Sequence, residues 1–326
     1  MAASPQTTEL IRPDLLEGYR RELTGYCYRM LGSGFEAEDA VQETMLRAWQ
    51  AASGFEGRSS PRSWLYRIAT NICLDMLRGR QRRARPMELG PSSPPELSHL
   101  GPPMTERGWV LPVADSRVVP ADGDPAEIAV ARETIRLAFV TALQHLPPRQ
   151  RAVLILCEVL RWQAAEVAGL LDTTVPAVNS ALQRARATLA AIPADERPQG
   201  ADADAGDLLA SYVDAFERYD VSALVKLLHA DAVQSMPPFA MWLRGADSIG
   251  QWMLGPGIEC EGSRLIPVAA SGCPGFGQYR RDPAGGHAPW GLQVLEISGE
   301  RITGLHVFLD AAALFPAFGL PPHLPA

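Results

Sequence analysis

At 326 residues and 47% hydrophobic composition, the chain has length enough for two or three domains with buried cores. Its net charge of −7 excludes a protein that coats nucleic acid along its length, yet the charge is partitioned: +3 over residues 1–85, −4 over 86–125, +2 over 126–192 and −8 over 193–326. No stretch approaches the roughly 20 apolar residues of a bilayer-spanning helix, and MAASPQTTELIRPDL lacks the pattern of a secretory leader, so a cytoplasmic protein without a membrane partner is expected.

The five cysteines (Cys27, Cys73, Cys157, Cys260, Cys273) are odd in number and widely spaced, with no CxxC and no Cys/His cluster. The pattern predicts reduced thiols, no structural zinc and no cofactor.

Residues 10–85 read as helices. DLLEGYRRELTGYCYRML carries apolar residues at helical spacing, GSG interrupts it, and FEAEDAVQETMLRAWQ resumes, with Ala37, Val41, Met45, Ala48 and Trp49 on one predicted stripe. After the loop SGFEGRSSP, a third helix, RSWLYRIATNICLDML, runs into RGRQRRAR, five arginines in eight residues. Residues 86–125 hold nine prolines and read as an acidic linker with too little apolar surface to offset chain entropy. Its exception is ERGWVLPVAD, where Trp109 and Val110 can anchor locally.

Helix returns over 126–192: PAEIAVARETIRLAFVTALQHL, then QRAVLILCEVL, QAAEVAGLL, the turn DTT and VPAVNSALQRARATL. A second linker is expected over 193–206. From 207, two helices (DLLASYVDAFERYD, VSALVKLLH) precede strand-like segments SRLIPVAAS, GFGQYRR, PWGLQVLEIS and RITGLHVFLD, which predicts helices on an antiparallel sheet.

Two segments carry chemistry. QAAEVAGLL-DTT-VPAVNSALQRARATL has the layout of a helix-turn-helix, with Thr173 or Thr174 as cap and Pro176 in the first turn. Val178, Ala181, Leu182, Ala185 and Leu189 fall on one side; Asn179, Ser180, Gln183, Arg184 and Arg186 fall opposite. Such donors suit phosphates and base edges in a major groove, although an ordinary amphipathic surface helix has the same pattern. SWLYRIATN interleaves Trp64, Tyr66 and Asn71 with Arg62 and Arg67, which suits unstacked bases of a single strand. Trp64 and Tyr66 suit a core equally well.

These residues carry a resemblance. AEDAVQETMLRAW, SWLYRIATNICLDMLR and LPPRQRAVLILCEVLRW with the helix-turn-helix resemble bacterial sigma factors of the extracytoplasmic-function group in the sigma-70 family. The resemblance implies that residues 10–85 dock on the clamp helices of core RNA polymerase and open the minus-ten element, while 126–192 bind the polymerase flap and read the minus-thirty-five element. It places Glu38, Asp39, Gln42 and Glu43 in the polymerase-docking helix and a flipped base in the loop Phe55–Pro61. Arg62, Trp64, Asn71 and Arg78 then face the melted strand, and Asn179, Ser180, Gln183, Arg184 and Arg186 face duplex. Family members often have Arg where this chain has Asn179.

Residues 207–326 resemble SnoaL-like domains, a cone-shaped α+β fold, through LLASYVDAFERYDVSALVKLLHADAVQSMPP, WLRGADSI and VLEISGERITGLHVFLD. A catalytic tail would draw on His229, Asp231, His306 and Asp310, with Trp242, Trp252 and Tyr279 as walls, but no catalytic motif joins them. The expectation is a multidomain sigma factor, not an enzyme. It comprises region 2 (10–85), a linker (86–125), region 4 (126–192) and a regulatory SnoaL-like domain (207–326). The tail pocket of Trp242, Tyr279, His306 and Asp310 would take a small ligand or an intramolecular contact. The alternative is a helix-turn-helix regulator fused to a ligand-binding or polyketide-cyclase-like domain.

Overall fold

The computed structural model describes residues 13–55, 57, 59–104, 108–192 and 205–325. The second expected linker lies outside them as far as residue 204, and Gly206 already opens a helix. The described residues divide into two units: 13–83 with 110–192, and 84–109 with 205–325.

The first unit is helical. α1 (Pro13–Gly18) and α2 (Arg20–Leu31) divide the first predicted helix at Tyr19. Gly32 ends α2 in the left-handed region at φ 72°, and its N–H donates to the Tyr28 carbonyl at 2.8 Å. Ser33 caps α3 (Gly34–Ala51), and Ser60, followed by Pro61, caps α4 (Pro61–Met76). Tyr26, Cys27 and Met30 of α2 pack with Ala37 and Val41 of α3 and with Leu65, Tyr66 and Ala69 of α4, all buried. The Tyr26 hydroxyl shares a hydrogen bond of 2.8 Å with Thr70.

The helix expected over 125–146 is broken into α5 (Pro125–Glu133) and α6 (Leu137–Gln144). Thr134 closes α5 by turning its hydroxyl onto the Val130 and Ala131 carbonyls, a local bond that competes with helix continuation. α7 (Pro148–Leu154), α8 (Ala164–Leu170) and α9 (Val175–Ala190) follow.

Both helical blocks belong to this one unit. Arg29 of α2 donates to the Thr134 carbonyl and hydroxyl at 3.2 and 2.7 Å. Arg151 of α7 donates to the Met30 carbonyl, the Gln144 side chain and the Gln144 and Leu146 carbonyls. Burial lowers the pKa of each to about 10, so each remains a cation with neutral partners.

The second unit is α+β. α10 (Gly206–Glu217) and α11 (Val221–Leu227) lead into β1 (Leu228–Ser235) and β2 (Trp242–Arg244). α12 (Ala246–Leu254), β3 (Arg264–Ala270), β4 (Cys273–Arg281), β5 (His287–Ser298), β6 (Arg301–Phe308) and α13 (Ala311–Ala317) complete it. The sheet order is β2-β1-β6-β5-β4-β3, with β1 and β6 parallel and the other pairs antiparallel. Tyr212, Phe216, Leu224, Ile249 and Trp252 from α10–α12 pack on one face against Phe276, Leu295, Leu305 and Val307.

Sequence periodicity missed β1, β2, α12 and α13. The strand HADAVQS carries too few apolar residues to read as one, and pairing with β6 and β2 forms it.

Residues 86–125 are also a correction. The first part lies along the second unit: Ser93 N–H donates to the Trp242 carbonyl at 2.9 Å and Met104 N–H to the Pro238 carbonyl at 2.8 Å. The Trp242 indole N–H donates to the Gly90 carbonyl at 2.9 Å. The later part belongs to the first unit, where Leu111 N–H donates to the Gly32 carbonyl at 2.9 Å and Val113, Val118 and Val119 are buried. Composition weighed only apolar burial; main-chain bonds to a folded surface supply the rest. Gly34 makes room for this segment, since a Cβ there would lie 2.9 Å from the Pro112 carbonyl. Trp109 and Val110 are both buried as expected, in different units.

Candidate nucleic-acid interface

The helix-turn-helix is built by α8, a tight turn and α9. Asp172 takes φ 48° in that turn, and the Thr173 N–H donates to the Ala168 carbonyl at 2.9 Å. Thr174 is the cap, its hydroxyl accepting from Ala177 N–H at 3.3 Å, and Pro176 sits in the first turn. Val178 and Ala185 are buried and Ala181, Leu182 and Leu189 half-buried, so the apolar stripe faces the core. Asn179, Ser180, Gln183, Arg184 and Arg186 are all exposed. Arg186 is engaged by Glu158, and Arg184 is exposed.

α4 presents its second face differently. Asn71, Asp75 and Arg78 are exposed, with Arg78 paired to Asp75 at 3.0 Å. Trp64 is half-buried and packs tilted against Phe55, 4.9 Å between ring centres at 46°. Tyr66 is fully buried, which resolves it as core. Arg62 pairs with Glu22 at 3.1 Å and lies over both the Tyr66 and Trp162 rings, each 5.3 Å from the guanidinium carbon. Arg67 donates to the Gly169 carbonyl and lies 3.5 Å from Asp172. Two cations expected near a melted strand are therefore held by the helix-turn-helix block. In the loop Phe55–Pro61, Phe55 is buried, and Glu56 and Arg58 lie outside the described residues.

On α3, Asp39 and Gln42 are exposed; Glu38 and Glu43 are half-buried, beside Arg117 at 3.7 Å and Arg47 at 2.6 Å. Trp49, expected on the buried stripe, is 65% exposed, and Leu46 is 47% exposed. Ala37, Val41 and Ala48 define the buried line, and Trp49 lies one further residue, about 100°, around the helix. Asp39, Gln42, Leu46 and Trp49 form an exposed stripe at spacings of three and four. Sequence reading missed Leu46; its signal was an apolar residue off the core period.

Each of the four proposed tail-pocket residues is engaged by partners of its own. Trp242 is held against Gly90, and the Tyr279 hydroxyl donates to the Pro321 carbonyl at 2.8 Å with its ring edge-on to Phe315. Asp310 caps α13 by accepting from Ala313 N–H at 3.4 Å. His306 is buried on the β6 face, Nδ1 2.8 Å from the Ser235 hydroxyl and Nε2 2.6 Å from the Arg85 guanidinium. Glu296 completes this cluster, 3.2 Å from Arg85 and 3.5 Å from His306. Burial opposes its ionisation, but the Arg85 guanidinium holds the Glu296 carboxyl well below the usual carboxylate range. Burial, then the Arg85 charge, lowers the His306 pKa. Neither Arg85 nor Glu296 was singled out from sequence. His229 and Asp231 are exposed on β1, and Trp252 belongs to the α10–α12 core.

Among the described residues no group of three or more His, Cys, Asp or Glu could hold a metal, and no helix is long and apolar enough to cross a membrane.

Comparison with known proteins gives this architecture its class. Residues 15–83 match the family model of sigma-70 region 2, and 136–189 that of sigma-70 region 4, so the two helical blocks are the paired recognition regions of a sigma-70-type subunit. The chain is 48% identical over 319 residues to the ECF RNA polymerase sigma factor SigG of Mycobacterium tuberculosis, covering 94% of this chain and 83% of that protein. It is 30% identical over 250 residues to SigJ of the same organism, covering 73% and 71%. The crystal structure of SigJ superposes with a TM-score of 0.62 at 21% identity, over 95% of this chain and all of that one, and so shares the fold including the tail. The chain belongs to the ECF RNA polymerase sigma factors.

Proposed function

We propose that this sigma factor docks on core polymerase through the α3 stripe, reads the opened minus-ten strand with α4 and the duplex minus-thirty-five element with α9. The observation that carries this reading is the face of α9: Asn179, Ser180, Gln183 and Arg184 are exposed together with no carboxylate among them. Amides and a guanidinium at that spacing match adenine and guanine edges in a major groove. The modest basic charge of the helical blocks supports weak, salt-sensitive binding to free duplex, with most affinity arising through the polymerase.

The α4 face supports the same reading in a closed state. Arg62 and Arg67 must leave Trp162, Gly169 and Asp172 before either meets DNA. The tail modulates activity in cis rather than by turnover. Both ring nitrogens of His306 have partners, which supports a binding role.

Run-off transcription with purified core polymerase tests the proposal, comparing the full chain with residues 1–200 on genomic promoter fragments. Specific transcripts are expected, and their ratio gives the sign of the tail's effect. A folded protein that neither binds core polymerase nor yields transcripts overturns the reading.

A further inference from the structure

The cluster beneath residues 84–104 is built from acceptors. Glu296 is a carboxylate, and His306 Nε2 faces the Arg85 guanidinium, which can only donate. Nε2 is therefore unprotonated, and Nδ1–H donates to the Ser235 hydroxyl, which fixes the ring. Gly304 lies beside them on β6: a Cβ there would stand 2.8 Å from His306 Nε2 and 2.9 Å from Glu296 Oε2, so glycine keeps the acceptors open. Arg85 is oriented from its own side too, its N–H donating to the Glu88 carboxylate at 2.8 Å.

The rest of the segment is thinly held. Leu89, Leu97 and Met104 are exposed, and Pro86 is buried while Leu100 is half-buried. Among the described residues, Gly90, Ser93 and Met104 bond to the Trp242 and Pro238 region. A charge-assisted contact to a half-buried carboxylate outweighs any one of these.

We propose that the β1–β6–β5 face of the tail is a guanidinium-binding site, filled in cis by Arg85, and that this side chain latches residues 86–104 onto the tail. One guanidinium nitrogen, Nη2, reaches both the carboxylate and the imidazole. A planar guanidinium keeps that donor in place, and a lysine ammonium, a strongly hydrated point charge, fits the site less well.

Hydrogen exchange on the full chain tests the latch. Arg85→Ala and Glu296→Gln are expected to speed exchange across residues 86–104 at least tenfold, with β5 and β6 amides as the fold control and Arg85→Lys intermediate. Should Glu296→Gln disturb the sheet, Arg85→Ala carries the test by itself. Unchanged exchange in Arg85→Ala overturns the latch. In that variant, millimolar agmatine is expected to shift the His306 imidazole resonances saturably, and butylamine is not. No response to agmatine, or an equal response to butylamine, overturns the guanidinium assignment.

Discussion

The Arg62 guanidinium carbon lies 5.3 Å from the ring centre of Trp162, so a cation from the first helical block rests on an aromatic ring of the second. The same arginine is one of those expected beside a melted strand. If Arg62 meets the opened strand as proposed, reading DNA and closing the helical unit compete for one side chain.

Weakening that contact favours the open state. Trp162→Phe keeps an apolar ring in a site that is 8% exposed, but gives a weaker cation–π partner. The contact is worth about 0.5–1 kcal/mol, so affinity of the free protein for a single-stranded minus-ten probe is expected to rise about two- to five-fold. Fluorescence anisotropy measures it; no change separates the contact from DNA access.

Arg184→Ala is expected to cost about 1–3 kcal/mol of discrimination at one base position. Arg186→Ala is expected to cost less, because Glu158 already engages that guanidinium. Run-off transcription across single-base promoter variants reads both. Equal effects of the two substitutions would remove Arg184 from the base-reading role.

Trp49→Ala removes an exposed ring with no core partner, so thermal stability is expected to stay within about 0.5 kcal/mol. If the α3 stripe docks on polymerase, the same change is expected to weaken core binding by about 2 kcal/mol, near thirty-fold in Kd. Titration against core polymerase checks this, and full affinity in the variant would move the docking surface elsewhere.

The tail is expected to lose stability as pH falls. His306 has a pKa lowered from 6.5, so below that pH the unfolded chain binds a proton that the folded site resists. Glu296 is lowered from 4.5, which extends the loss with the same sign at more acid pH. Urea titrations of the full chain from pH 8 to 4, followed through β5 and β6, should show both steps, with His306→Gln flattening the upper one. A profile level between pH 7 and 5 would contradict the buried, neutral imidazole.

Much was legible in the sequence because local rules set it. The cap Thr174, Pro176 in the first turn and the Val178–Ala185 spacing mark α9 from neighbouring residues alone, whereas Ser60 and Pro61, read as loop, open α4. The exposed set on α9 followed from that period, because a helix with one buried side must show the other. Trp49 failed the same logic: it lies one residue beyond the buried line, about 100° around the helix, and is exposed. Strand β1 failed for want of apolar alternation, since its pairing partner β6 lies some seventy residues on.

By itself, the sequence determined the family, the helix-turn-helix and its exposed polar face, since motif spacing and helical period need no distant partner. The tertiary structure decided the rest. It joined the two helical blocks through Arg29, Arg62, Arg67 and Arg151, divided the proline-rich segment between two units, and brought Arg85 to Glu296 and His306 across more than 200 residues. Those contacts join polar groups far apart in the chain. No local periodicity encodes which carboxylate will meet which guanidinium; only the packed fold brings them within hydrogen-bonding distance.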